Sequence, residues 1–363
     1  MNDNYFCIIM AGGVGSRFWP VSRTNKPKQF LDILDTGQSL LQQTYFRFRK
    51  ILPEKNILIV TNAQYKELIK EQLKHISEDQ ILCEPERRNT APCIAYALFK
   101  ILTKNPTAKM VVTPADHLIK AEENFLQLIR KGLSIVSENN ILCTIGIRPD
   151  KPETGYGYIQ MHKEKPSIAE EGLYKVKTFT EKPNLEMAEL FLKSGDFLWN
   201  AGIFMWSAKT ILQAFENYLP EVFMLFNEGR ELFNTKEEDA FIKKTYSKCI
   251  NISIDYGIME KADNTYVMPG NFGWSDLGNW SAIYEQTEKD KQQNAVMGKD
   301  VFLYNSSNCL VKMPANKIVV AEGLNDYIIV ESENMLLICR KKEEQKIKDF
   351  LQDIKKQKGE EYL

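Results

Sequence analysis

A short apolar run, Tyr5-Phe6-Cys7-Ile8-Ile9-Met10, passes without interruption into Ala11-Gly12-Gly13-Val14-Gly15-Ser16-Arg17. No other stretch constrains the fold as tightly. Glycines let backbone N–H groups approach an anion closely, because no Cβ stands in the way. Arg17 then offers a planar fork for phosphate oxygens, and Lys28, in Lys26-Pro27-Lys28-Gln29-Phe30, offers a point charge. The combination reads as a triphosphate loop after a first β-strand. The spacing excludes the commoner phosphate loops. A Walker loop needs GxxxxGK followed by Ser or Thr, which is absent. A dinucleotide fingerprint needs GxGxxG, and here Gly12, Gly13 and Gly15 are followed by Ser16 and Arg17 without the third glycine.

The pattern downstream alternates. Strands are expected at 5–10, 56–60, 81–83, 109–113 and 141–147, and helices at 39–50, 62–75, 91–103 and 122–137. Ser39 with Gln42 reads as a capping box, and Thr90 as the cap of the third helix. Alternation of this kind predicts an α/β fold with a doubly wound, mixed but mostly parallel sheet and ligands at the strands' C-terminal ends. The glycine loop and Pro114-Ala115-Asp116 both fall at such ends. From about 151 the pattern becomes irregular, with short strands (156–161, 174–180, 203–206) among helices (185–194, 208–217, 237–245). After about 290 it changes to short β runs such as 301–304, 318–320, 327–330 and 335–339, separated by Asn, Ser and Gly turns. A terminal helix carries Ile347, Phe350, Leu351 and Ile354 on one face, suited to docking on those β runs. We therefore divide the chain into 1–288, in which the pattern changes at about 150, and a small unit at 289–363.

The motifs resemble those of the nucleoside-diphosphate-sugar pyrophosphorylases, whose signature is GGxG[ST]RxxP followed by PK. The variant with Phe18-Trp19-Pro20 and Pro27-Lys28-Gln29-Phe30 is similar to the mannose-1-phosphate guanylyltransferases. The resemblance continues, in order, through Arg88-Asn89-Thr90-Ala91-Pro92, Thr113-Pro114-Ala115-Asp116-His117, Gly155-Tyr156-Gly157-Tyr158-Ile159, Glu181-Lys182-Pro183, Trp199-Asn200-Ala201-Gly202, Asp255-Tyr256-Gly257-Ile258-Met259-Glu260-Lys261 and Gly273-Trp274-Ser275-Asp276-Leu277-Gly278. It implies a Rossmann-like, GT-A-like nucleotidyltransferase domain, with a nucleotide side at about 1–150 and a sugar side at about 151–288, and a small C-terminal left-handed β-helix-like unit. It also implies transfer of GMP from GTP to α-D-mannose 1-phosphate, giving GDP-mannose and pyrophosphate. The bifunctional relatives continue into an isomerase domain, so no isomerase activity is expected of this sequence.

In that chemistry a sugar-phosphate oxygen, already anionic at neutral pH, attacks the α-phosphorus. The site needs charge neutralisation and positioning, not a general base. The resemblance implies that Ala11, Gly12, Gly13, Gly15, Ser16, Arg17, Lys28, Arg88, Asn89, Thr90, Pro114 and Asp116 bind the nucleotide, with Arg88-Asn89-Thr90 near the base. Asp116 and Asp276 are the expected Mg2+ ligands, since magnesium takes one or two carboxylates plus phosphates. Gly155, Tyr156, Gly157, Glu181, Lys182, Asn200 and Gly202 are expected around the sugar phosphate, with Lys182 on its phosphate. Ala201 stands where relatives often carry Ser or Thr. Asp255 is read as the N-cap of a helix that props the second metal loop, and His117 as a hydrogen-bonding residue.

A net charge of -1 gives no electrostatic footprint for nucleic acid, and no apolar run approaches membrane-spanning length. Seven scattered cysteines without CxxC spacing read as free thiols, and with only three histidines they give no zinc pattern. The N-terminus lacks a signal-peptide pattern, so the cytoplasm is expected. A homodimer is plausible on the resemblance alone. Three alternatives stay open: another nucleotide or hexose 1-phosphate, an inactive nucleotide-sugar-binding paralogue, and a dinucleotide oxidoreductase, which the missing glycine disfavours.

Overall fold

The computed structural model describes residues 2–162 and 172–363. By its contacts the chain forms two compact units. The first comprises Met1–Gly12, Thr44–Ala115 and Ile119–Trp274; the second comprises Gly13–Gln43, Asp116–Leu118 and Ser275–Leu363. This division does not coincide with the one drawn at 288. The segment after the first glycines and the segment around Asp116 belong with the C-terminal residues, because they share a core with them.

The first unit is built on a nine-stranded sheet. In spatial order its strands are Ile81–Glu84, Ile57–Asn62, Tyr5–Met10, Lys109–Pro114, Phe197–Ser207, Leu142–Ile147, Thr265–Gly270, Tyr174–Glu181 and Gly157–Met161. The first four are parallel, as the alternation predicts. Phe197–Ser207 runs antiparallel to both Lys109–Pro114 and Leu142–Ile147, and the pairings of Gly157–Met161 are also antiparallel. The sheet is therefore mixed, with its parallel character confined to the N-terminal strands and the pair Leu142–Ile147 with Thr265–Gly270. Helix Thr90–Lys104 is buried from Ala91 to Leu102 and packs in one core with Ile8, Val60, Val112, Phe204 and Trp206. Its cap is Asn89, whose side chain accepts from Thr90 N–H at 2.9 Å, so the cap sits one residue earlier than expected.

The second unit has its own core, in which Phe18, Trp19, Ile33 and Leu40 pack with Leu277, Trp280, Leu310, Ile328 and Leu337. Ala295–Met297, Leu310–Lys312 and Tyr327–Ser332 stack in parallel, and Met335–Arg340 closes the sheet antiparallel. Asp300–Tyr304 and Ile318–Glu322 form a separate parallel pair. The Ser39–Gln42 capping box is present, each side chain bonding the other's backbone N–H. On the terminal helix Ile347–Lys358, Ile347 is buried and Leu351 and Ile354 pack on this core, whereas Phe350 is exposed. No helix among the described residues is long and apolar enough to cross a membrane.

Candidate active site

The second unit holds a cavity of about 410 Å³ lined by Gly15, Ser16, Arg17, Lys28, Asp116, His117, Asp276 and Lys348, among others. Gly15 opens the short 3-10 turn Ser16–Phe18 with φ +64°, and a Cβ there would stand 2.7 Å from Lys28 Cβ and 3.0 Å from Lys28 N. Backbone cannot give way as a side chain does, so this position is restricted to glycine. The turn brings Arg17 to the cavity, where its Nε is buried without a hydrogen-bond partner. Gln29 Nε2 donates to Gly13 O at 2.9 Å and fixes the start of the loop.

Lys28, expected on the triphosphate, is engaged within the protein. It is 4% exposed. Its ammonium donates to Asp276 O at 2.7 Å and Leu277 O at 2.8 Å, and pairs with Asp116 Oδ2 at 3.0 Å. An ammonium has three donors, and each has an oxygen. Lys28 thus ties both aspartate loops together. Leu277 sits in left-handed backbone, φ +45°, which turns its carbonyl within reach of that ammonium. Burial pushes the Asp116 carboxyl up, but the charges of Lys28 and His117 and the Lys28 hydrogen bond outweigh it and hold it below the ordinary carboxylate range. Asp276 Oδ1 accepts from Gly278 N–H at 2.8 Å, and the following helix is capped by Asn279, so Asp276 is not its cap.

Two carboxylates on one cavity suit a hard cation that completes its shell with phosphate oxygens and water. No group of three or more His, Cys, Asp or Glu side chains able to hold a metal occurs among the described residues. A magnesium ion shared with a triphosphate needs no such group, and Asp116 and Asp276 fit it.

The first unit holds two further constellations. In one, Glu181 ends the strand Tyr174–Glu181 and Lys182 follows it, with Lys182 Nζ 2.8 Å from Glu181 Oε1. Lys182 adopts φ +47°, a conformation that lysine takes only when its surroundings impose it. A Cβ on Gly157 would stand 2.5 Å from Glu181 Oε2, so glycine there leaves room for that carboxylate. Asn200 Nδ2 donates to Asp255 Oδ1 at 2.7 Å, and its Oδ1 accepts from Gly202 N–H at 3.0 Å. Asp255 makes no cap bond; it begins the π-helical turn Asp255–Met259. Burial raises its carboxyl to about 6, helped by the charge of Glu181 and opposed by the Asn200 bond. Gly155 N–H is committed to Glu153 Oε1 at 3.0 Å. Tyr156 packs edge-on against Trp199 and Trp274.

The other constellation contains a residue the sequence did not single out. Glu84, at the end of strand Ile81–Glu84, is 6% exposed and accepts from Tyr246 Oη at 3.0 Å. Its Oε2 lies 3.4 Å from the place of a Cβ on Gly12. Burial lifts its carboxyl to about 7, against the Tyr246 bond and the charge of Arg87. The signal in the sequence is an acidic residue closing an apolar parallel strand, where α/β sheets bind ligands. Arg88 donates to Tyr246 O at 3.2 Å and Glu86 Oε2 at 2.7 Å, while Thr90 Oγ1 accepts from Ile254 N–H. Ala11 N–H bonds Val60 O, and Pro114 ends its strand beside Met10. A larger cleft in the first unit, about 840 Å³, contains none of the motif residues; its floor is the buried Lys100–Glu238 pair.

Residues 6–293 match the nucleotidyl transferase family. The mannose-1-phosphate guanylyltransferase of Salmonella montevideo is 38% identical over 366 residues, covering 98% of this chain and 75% of that protein. Mannose-1-phosphate guanylyltransferase 2 of Escherichia coli O157:H7 is 36% identical over 367 residues, covering 98% and 74%. The chain thus spans about three quarters of the length of these relatives. A crystal structure of mannose-1-phosphate geranyltransferase from Thermus thermophilus superposes with a TM-score of 0.87 at 27% identity, over 97% of this chain and 99% of that one.

Proposed function

The chain belongs to the nucleotidyl transferase family, and from that premise we propose that it transfers GMP from GTP to α-D-mannose 1-phosphate, giving GDP-mannose and pyrophosphate. The observation that carries the reading is the single cavity on which Arg17, Asp116 and Asp276 converge around the Lys28 clamp. An oxygen of the sugar phosphate bonds to the α-phosphorus as the bond to the β-phosphate bridge breaks, and the electron pair leaves on pyrophosphate. The nucleophile needs no deprotonation, which agrees with a site of cations and carboxylates.

The glycine-loop backbone and Arg17 receive the triphosphate, and Arg17 Nε gains the partner it otherwise lacks. Asp116 and Asp276 would hold magnesium, which when bound neutralises phosphate charge. Lys182 binds the phosphate of the sugar substrate. Glu181 and Asp255 accept from its hydroxyls, with Asn200 positioning Asp255. Gly155, Tyr156, Gly157 and Gly202 shape the backbone around them. On the base side, with the Arg88–Thr90 segment, Glu84 offers the paired acceptors that match the N1 and N2 donors of guanine.

That assignment has two expected consequences. Glu84→Gln, which cannot accept both donors, lowers kcat/KM for GTP by about 10- to 100-fold without lowering that for ATP. With a folded pKa near 7 against an ordinary 4.5, Glu84 binds its proton more tightly in the folded state. Its contribution to stability is therefore present below about 4.5 and lost as pH rises towards 7, and the Gln variant flattens that slope in thermal unfolding.

The same proposal places the protein in the cytoplasm, supported by seven unpaired cysteines. It reads the stacked parallel strands of the second unit as a left-handed β-helix-like fold. It assigns a homodimer, supported by the exposed Phe302, Tyr304, Ile318 and Val320 on the Asp300–Tyr304/Ile318–Glu322 pair. The deciding experiment measures pyrophosphate release with magnesium, testing GTP, ATP, UTP and dTTP against mannose 1-phosphate and glucose 1-phosphate. Turnover is expected to concentrate on GTP with mannose 1-phosphate. Preference for another pair overturns the base and sugar assignments, and no turnover with any pair overturns the activity.

A further inference from the structure

We propose that Lys348, on the terminal helix, is a substrate-contacting cation that binds the phosphates departing as pyrophosphate. The inference rests on the triphosphate reading of the cavity and adds to it a residue outside the motif set. Lys348 lines the same cavity as Arg17, Asp116 and Asp276. Of the lysines and arginines on the cavity wall, Lys28 is engaged by Asp276 O, Leu277 O and Asp116 Oδ2, whereas Lys348 is not tied to the cavity wall.

Lys348 has no ion pair or hydrogen bond among the described residues. On the same segment Lys346, Lys355 and Lys356 are each paired with a carboxylate. The helix is also anchored. Ile347, the preceding residue, is 1% exposed, and Leu351 and Ile354 pack on the core of the second unit. Beyond the helix, Trp19 Nε1 donates to Tyr362 O at 2.7 Å and Thr24 N–H to Leu363 O at 3.0 Å. Glu344, just before the helix, feels the charge of Arg17 and accepts from Ser281 N–H at 3.0 Å. Lys348 is thus a free ammonium on a fixed backbone beside the loop arginine.

The test compares Lys348→Ala and Lys348→Arg with Lys356→Ala, a control outside the cavity. Forward kinetics give KM for GTP and for mannose 1-phosphate, the reverse reaction gives KM for pyrophosphate, and equilibrium dialysis gives GTP affinity without turnover. Lys348→Ala is expected to raise KM for GTP and for pyrophosphate by about tenfold or more, from the loss of one charge-assisted contact. KM for mannose 1-phosphate and the melting temperature stay at wild-type values, Lys348→Arg recovers most of the loss, and Lys356→Ala behaves as wild type. Unchanged KM and affinity in Lys348→Ala overturn the proposal, as does a parallel rise for both substrates with a lower melting temperature, which marks a structural role. If the wild type binds GTP without turnover, the activity falls while the dialysis comparison still decides Lys348. If the wild type does not bind GTP, both fall.

Discussion

Asp116→Asn is expected to lower kcat by on the order of 10³-fold while changing the dissociation constant for GTP by less than about tenfold. The asymmetry follows from what the carboxylate does. In the proposed site much of GTP binding would come from groups the substitution leaves in place, the glycine-loop backbone and Arg17, which line the same cavity. In the proposed reaction the negative charge of Asp116 would matter most as charge shifts from the α-phosphorus to the leaving pyrophosphate, because that is when a cation held by Asp116 and Asp276 would be most needed. An asparagine keeps an oxygen for the Lys28 ammonium, so the clamp at 3.0 Å can persist and the fold with it. The variant should therefore stay folded, with a melting temperature at neutral pH below wild type by the lost ion pair with Lys28. Its pH dependence should also differ. The Asp116 carboxyl lies below its ordinary value in the folded protein, so its stabilisation is present above that ordinary value and lost as pH falls through the folded one. The asparagine variant lacks that acid-side loss. Equal losses in kcat and in GTP affinity would contradict the assignment and make Asp116 a binding residue only.

Much of this site could be read in the chain, and what could not has a common physical cause. The strand into the glycine loop follows from an apolar run and three glycines. Asp116 follows from its place after the apolar Met110–Thr113 run. These are local signals, and the structure has the strand at Tyr5–Met10 and Asp116 on the cavity wall. The partners of Lys28 lie 248 and 249 residues away, on main-chain carbonyls, and no side-chain pattern announces a carbonyl. Asn200 and Asp255 meet across 55 residues. The strand at Phe197–Ser207 is expected only at 203–206, because Asn200-Ala201-Gly202 reads locally as a break; in the structure the strand runs through it, with Gly202 N–H bonded to Asn200. Strand Thr265–Gly270 ends in Pro269-Gly270, two residues that argue against a strand, yet pairs in full register with Leu142–Ile147. Helix Pro220–Asn227 is also absent from the expected elements, although Pro220 at its first position is a start signal. Positive φ at Asn89, Lys182 and Leu277 is invisible in the chain, since none of these residues calls for it by type as glycine does.

Lys28→Met is the substitution that separates a clamp from a phosphate ligand. Methionine keeps the length and apolar stem of lysine but removes the ammonium. In a clamp this leaves Asp116 Oδ2, Asp276 O and Leu277 O without their shared donor, at a position 4% exposed. Removing one partner from a buried charged network costs about 3–5 kcal/mol. Leu277 would lose in addition the contact that offsets its φ of +45°. The variant is thus expected to melt well below wild type in the absence of any nucleotide, and to lose activity on the order of 10²-fold or more because both aspartates shift. Lys28→Arg should rescue little. A planar guanidinium cannot converge on three oxygens that an ammonium reaches at 2.7, 2.8 and 3.0 Å. A phosphate ligand predicts the reverse pattern. Nucleotide-free stability would be unchanged or improved by removal of a buried charge, GTP affinity would fall, and arginine, the better phosphate fork, would restore it. Thermal unfolding of the nucleotide-free variants therefore decides between the two before any rate is measured, and the three oxygens around Lys28 favour the clamp.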